Sequence, residues 1–280
     1  MMPEQDGKTL KGKVAWVTGS SRGIGKTIAE HFAACGAEVV IHGTRQDSPK
    51  TFNEGDSLDE SARTLEENYG TRCMALAGDL TDYGVVRDAV TQIQRTLGPI
   101  DILVNCAGGD VGTKGIHAAM AGKPDQNDAV NVSLEDVHTV LNRNLFTTIH
   151  CCKAVCPDMM KRKRGRIINI GSIAATLGVP KSVIYATAKA AVHEYTRCLA
   201  VQLRPYDITV NVLAPGDTVT ERFLHSRETE EARKVLSGTL DRYGRPIEVA
   251  RTAEFLASEA GSFVSGQVIR VDGGSQTWAC

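Results

Sequence analysis

Seven short runs rich in β-branched residues recur along the chain: KVAWVTG (13–19), AEVVIHG (37–43), MALAGDL (74–80), DILVNCAG (101–108), GRIINIGS (165–172), ITVNVLAPG (208–216) and GQVIRVDGG (266–274). Helical periodicity fills most of the gaps, over 24–35, 58–69, 83–97, 134–160, 185–203 and 246–258. This alternation constrains the fold more than any other feature. Strand, helix, strand in repetition predicts a doubly wound parallel α/β sheet of about seven strands with helices on both faces. No repeat, low-complexity tract or linker divides the 280 residues, and 42% hydrophobic composition suffices for one large core. The expectation is a single domain with its core over about 10–275 and two polar or Gly-rich loop insertions, about 46–58 and 110–131.

A formal net charge of −1 gives no electrostatic case for nucleic acid or an anionic membrane as partner, so a small molecule is expected. The basic run KRKRGR (161–166) falls where a helix ends, a position that favours cations without any partner. The eight cysteines form no CxxC pair and no zinc-like spacing with histidine; reduced thiols and no metal site are expected. His150, Cys151, Cys152 and Cys156 lie in an apolar segment and read as packing. The first residues hold no signal-like apolar stretch and no run near 18 apolar residues occurs, which leads to the expectation of a soluble cytoplasmic protein.

Two motifs carry chemistry. TGSSRGIG (18–25) places Gly19, Gly23 and Gly25 between the first strand and first helix, where a close-running backbone and free helix N–H groups receive a pyrophosphate. YATAK (185–189) sets Tyr185 and Lys189 four apart at the start of a helix, hence on one face.

With these stand GDL (78–80), NCAG (105–108), Asn144, GS (171–172), PG (215–216) with Thr220, and the ending FLASEAGSFVSGQVIRVDGG. Together they resemble the short-chain dehydrogenase/reductase family, in its single-domain branch that includes the 3-oxoacyl thioester reductases. The resemblance spans about residues 10–275 and implies a Rossmann fold. It implies Tyr185 as general acid/base, Lys189 as its tuner and a ligand of the nicotinamide ribose, Ser172 as donor to the carbonyl, and Asn144 as support for a water relay. Asn142 stands nearby, but Leu145 and Phe146 fit the family pattern after Asn144. An ammonium beside a phenol favours phenolate, so Lys189 is expected to bring the Tyr185 pKa down toward working pH.

The resemblance also implies cofactor contacts from Gly19, Ser21, Arg22, Gly23, Ile24 and Gly25; from Thr44 and Arg45; from Asp79 and Leu80 beside adenine; from Asn105, Ala107 and Gly108; and from Pro215, Gly216, Thr218 and Thr220, with Tyr185 and Lys189. Cys106 and Thr218 depart from commoner family residues. NAD sites place an acid on the ribose 2′-OH, whereas the second strand ends at Gly43 with Arg45 close behind and Arg22 in the glycine turn. NADP(H) is therefore expected over NAD.

The function these features imply is NADP(H)-dependent interconversion of a ketone and a secondary alcohol. A 3-oxoacyl thioester is an alternative substrate, which Tyr206 and Asp207 disfavour because carrier-protein reductases tend to carry a basic residue there. A dinucleotide-binding regulator without turnover is the alternative of another class. The long helices at 145–160 and 185–203 imply a homotetramer by family resemblance. The insertion at 110–131 reads as a lid or pocket wall, with glycines 109, 112, 115 and 122 as joints and His117, Met120 and Lys123 offered to substrate.

Overall fold

The computed structural model describes residues 8–278. Its strands are β1 (Val14–Val17), β2 (Glu38–Gly43), β3 (Cys73–Ala77), β4 (Ile102–Asn105), β5 (Gly165–Ile170), β6 (Ile208–Pro215) and β7 (Val268–Val271). The helices are α1 (Gly23–Ala34), α2 (Leu58–Tyr69), α3 (Tyr83–Thr96), α4 (Leu134–Leu141), α5 (Thr147–Arg162), α6 (Val183–Leu203), α7 (Glu221–His225) and α8 (Pro246–Ala257). All seven strands pair in parallel in the order β3-β2-β1-β4-β5-β6-β7. The order turns back between β1 and β4, and a crevice opens beyond the carboxyl ends of such strands.

Strand alternation sends neighbouring side chains to opposite faces. Ala15 and Val17 of β1 join Ile28 and Phe32 of α1, Leu58 of α2 and Ala253 and Leu256 of α8 in one core. Val14 and Trp16 join Val86 and Ile93 of α3, Cys152 and Met159 of α5 and Leu203 of α6 in the other. Cys151 and Cys156 are buried in that second layer, and His150 reaches the Leu80 carbonyl through Nδ1 at 3.1 Å, so this cluster packs. The basic run at the end of α5 is tied down locally: Arg162 meets Asp101 at 3.1 Å and Asp158 at 2.8 Å.

The helical pattern over 134–160 is interrupted at Asn144, as the family resemblance implies for this asparagine. A π-helical turn, Asn142–Phe146, separates α4 from α5. Its cause is the fully buried Asn144, whose Nδ2 donates to the Val140 carbonyl at 2.8 Å and to the Gly109 carbonyl at 3.0 Å, while its Oδ1 accepts from the Gly109 N–H at 2.9 Å. The side chain thus takes over a helix carbonyl and latches the chain leaving β4, a widened turn of the kind often found at functional sites.

Candidate active site

The glycine turn fits a dinucleotide because it has no room for side chains. A Cβ on Gly19 would lie 2.6 Å from the Ala107 Cα, and one on Gly25 would lie 2.4 Å from the Gly19 carbonyl oxygen. Gly19 and Gly23 also adopt positive φ, 64° and 57°. His42, which sequence reasoning passed over, braces the turn. The Gly19 N–H donates to its Nδ1 at 3.1 Å, so Nε2 carries the hydrogen and donates to the Gly78 carbonyl at 3.0 Å. Burial pushes its pKa down to about 4, so the ring is neutral. A histidine closing a buried apolar strand was the available signal.

A cleft of about 780 Å³ opens at the strand ends and gathers Gly19, Ser21, Arg22, Gly23, Ile24, Gly25, Thr44, Arg45, Asp79, Leu80, Ala107 and Gly108 with Ser172, Tyr185, Lys189, Pro215, Gly216, Thr218 and Thr220. Two expected residues stand outside it. Asn105 shares the face of Leu103, and its Nδ2 donates to the Asn169 Oδ1 at 2.8 Å within the core. Asn144 is the latch described above; a Cβ on Gly108 would sit 2.6 Å from its Oδ1.

At the adenosine end, Arg22 donates from Nη1 to the Ser48 carbonyl at 3.0 Å and lies 5.9 Å from the Phe52 ring centroid. Arg45 turns outward, with Nε 3.1 Å from Asp47. An acid at Gly43 is sterically barred, because a Cβ there would meet the Ser48 Cβ at 2.8 Å. The acid of this region instead comes from the segment after β2: the Gly23 N–H donates to Glu54 Oε2 at 2.8 Å, at the N-terminus of α1. Phe52 and Asn53 hold positive φ, 70° and 59°, to bring Glu54 there. Glu54 was not foreseen, since its approach depends on the path of a long loop.

At the floor, Tyr185 and Lys189 share one face of α6, with Nζ 5.7 Å from the phenol ring centroid. Lys189 is buried and donates to the Ile170 carbonyl at 2.7 Å. Burial lowers its pKa to about 8. Burial raises the Tyr185 pKa, against the downward pull expected from Lys189; the opposing pulls come from a hydrogen bond with Ser172 and then from the Arg222 charge. Ser172 also caps the turn after β5, accepting from the Ala174 N–H at 3.1 Å. Behind it, His193 closes on Gly171, and burial lowers its pKa to about 4.

The insertion leaving β4 forms the other wall, and two of its four expected joints, Gly112 and Gly122, are packed rather than free. A Cβ on Gly112 would lie 2.4 Å from Asp136 Oδ1, and one on Gly122 would lie 2.2 Å from the Gly115 carbonyl, so these glycines are contact points and not joints. His117 and Lys123 line the cleft, whereas Met120 is half-exposed outside it. Facing them, Thr220 caps α7 through its Oγ1, and Thr218 Oγ1 donates to the Gly216 carbonyl at 3.0 Å. Away from the cleft, His31, Cys35 and Glu254 form the one grouping of metal-ligand types among the described residues. Its His31 Nε2 to Glu254 Oε2 distance of 2.6 Å is that of a hydrogen bond between α1 and α8.

A doubly wound parallel sheet with a glycine turn, a buried lysine and a Tyr–Ser pair at its switch point defines a dinucleotide-binding oxidoreductase class. Residues 19–276 match the family described as enoyl-(acyl carrier protein) reductase. The chain is 35% identical to the cyclohexanol dehydrogenase of Rhodococcus sp. (strain TK6), over 96% of this chain and 98% of that one. It is 34% identical to the 3-oxoacyl-(acyl-carrier-protein) reductase FabG of Vibrio harveyi, over 95% and 98%. Among solved structures it superposes on a 7α-hydroxysteroid dehydrogenase complexed with NADH and 7-oxo glycochenodeoxycholic acid, with a TM-score of 0.82, 30% identity and 98% of both chains covered. The chain belongs to the short-chain dehydrogenase/reductase family, and is an oxidoreductase of alcohol and ketone substrates.

Proposed function

We propose that the protein is an NADP(H)-dependent enzyme that interconverts a ketone and a secondary alcohol, with Tyr185 as the proton-transferring group. The observation that carries this reading is the meeting of Ser172, Tyr185 and the buried Lys189 on the floor of one cleft. The glycine turn, Arg22, Thr44, Arg45, Asp79, Leu80, Ala107, Gly108, Pro215, Gly216, Thr218 and Thr220 would hold the dinucleotide. A bound nicotinamide supplies or accepts the hydride. Ser172 orients the carbonyl oxygen, and the Tyr185 phenol donates its proton to that oxygen during reduction and takes it back during oxidation. Burial raises the phenol's pKa and so keeps the proton available for reduction at neutral pH. Asn144 shapes the cleft indirectly, by holding Gly109 against the π-helical turn.

The preference for NADP rests on Arg22 and Arg45 and on the lack of space for an acid at Gly43. A second reading, NAD, is favoured by Glu54 on the Gly23 N–H. The 3-oxoacyl thioester alternative is favoured by similarity to the Vibrio harveyi reductase and disfavoured by Tyr206 and Asp207 before β6. Initial rates of NADPH and NADH oxidation with cyclohexanone, a ketose and acetoacetyl-CoA separate these readings. Absence of turnover with every ketone, in a protein that binds NADPH, would leave a non-catalytic binder in its place. The family's homotetramer is also proposed; Val201 on α6, 76% exposed, and the fully exposed Phe263 would be covered by it, and sedimentation velocity reads it directly.

A further inference from the structure

The wall facing Ser172 and Tyr185 carries two cations, Arg222 and Lys123, that no carboxylate among the described residues pairs with directly. Arg222 stands in the first turn of α7 and donates from Nη2 to the Asp110 main-chain carbonyl at 2.8 Å. Its Nε is buried without a hydrogen-bond partner among the described residues, and its Nη1 takes part in no hydrogen bond or ion pair among them. The nearby Asp110 carboxylate acts on it through space but makes no hydrogen bond to it: Oδ2 accepts from Asn127 Nδ2 at 2.8 Å and Oδ1 has no partner among the described residues. Lys123, reaching the same wall from the insertion, is half-buried, and its ammonium likewise makes no ion pair or hydrogen bond among the described residues. Arg227 beside them differs, since Asp217 pairs with it at 2.6 Å. Desolvated charge costs free energy unless an opposite charge meets it, and a guanidinium meets a carboxylate by matching geometry. Arg222 and Lys123 line the same cleft as Ser172 and Tyr185, and Arg222 stands near enough to Tyr185 for its charge to favour the phenolate.

We infer that the substrate carries a carboxylate remote from its carbonyl, received by Arg222 with Lys123 as the second cation. This rests on the ketone/alcohol reading and narrows it to oxo and hydroxy acids.

The test is a binding titration, so it is readable whether or not the complex turns over. The protein is saturated with NADPH, or with NADH where NADPH does not bind, so that a hydroxy ligand forms a non-reacting complex, and titrated calorimetrically with two matched pairs: 4-hydroxycyclohexanecarboxylate against 4-methylcyclohexanol, and D-gluconate against sorbitol. At least one carboxylate should bind about tenfold or more tightly than its neutral partner. Arg222→Met should erase that preference, Arg222→Lys should restore part of it, and Lys123→Met should reduce it about threefold, all with unchanged dinucleotide affinity. Equal binding within both pairs, no binding of either carboxylate, or a preference untouched in Arg222→Met would overturn the inference. So would an Arg222→Met variant whose loss lies in dinucleotide affinity, which would assign the guanidinium to the cofactor. Carboxylate binding without turnover of any ketone would contradict the proposed catalysis while leaving this inference standing.

Discussion

The two halves of the cleft treat their polar groups in opposite ways. In the glycine-turn half, the groups are spent on the fold: Thr18 Oγ1 accepts from the Cys106 and Ala107 N–H groups, Ser20 donates to Val17, His42 ties Gly19 to Gly78, and Glu54 takes the Gly23 N–H. In the half between the insertion and α7, Arg222 Nε, the Lys123 ammonium and one oxygen of Asp110 stay without hydrogen-bond partners among the described residues. A surface that always meets the same ligand can be preorganised by internal bonds, and the cost of ordering it is met on folding. A surface that selects one ketone among many must hold its polar groups open for that ketone, and their unmet desolvation becomes the source of selectivity.

The contrast breaks most visibly at Gly25. Gly25→Ala forces a methyl onto the Gly19 carbonyl, so NADPH affinity should fall about 100-fold or more in fluorescence titration while far-UV circular dichroism stays native. A change under threefold would mean the turn is less rigid than its contacts imply.

Acid should act next, through the brace. The folded-state pKa of His42, about 4, lies below the ordinary 6.5, so between these values the unfolded chain binds more protons and stability rises with pH. The contribution is complete above pH 6.5 and is lost as pH falls through 4, on the order of 3 kcal/mol. Buried His193 acts in the same direction. Urea unfolding from pH 7 to 4 measures the slope, which should flatten in His42→Gln.

Smaller effects separate the halves. Replacing 112–126 with a Gly/Ser linker should raise substrate KM about tenfold and move NADPH affinity by less than about twofold, because the removed hydrogen bonds are those to Asp136 and within the insertion, and its packing is against α7 rather than the glycine turn. Glu54→Gln should tighten NADPH about threefold by removing a carboxylate from the anion-binding end of α1. A loss of NADH affinity in that variant, larger than any change in NADPH affinity, would instead favour the NAD reading.

The seven strands with their intervening helices, the glycine turn and the Tyr185–Lys189 face were legible in the sequence because each is local: alternation, a short motif, a spacing of four. What escaped was set by long-range approach. Glu54 reaches Gly23 only through the left-handed Phe52 and Asn53, and Arg222 gains meaning only from the insertion across the cleft. Asn105 could have been placed from strand parity, which puts it with Leu103 and away from the dinucleotide. The π-helical turn at Asn144 leaves no periodic signature over five residues, and the glycines at 112 and 122 read as joints because their close neighbours lie elsewhere in the chain.

The central claim is that the Tyr185 phenol moves the proton while the rest of the cleft binds and orients. It is tested most directly in Tyr185→Phe, by single-turnover NADPH oxidation with the best ketone beside an NADPH titration of the same sample. The account predicts a rate lower by about 10³-fold with NADPH affinity within about twofold of the parent. A rate near that of the parent would contradict it.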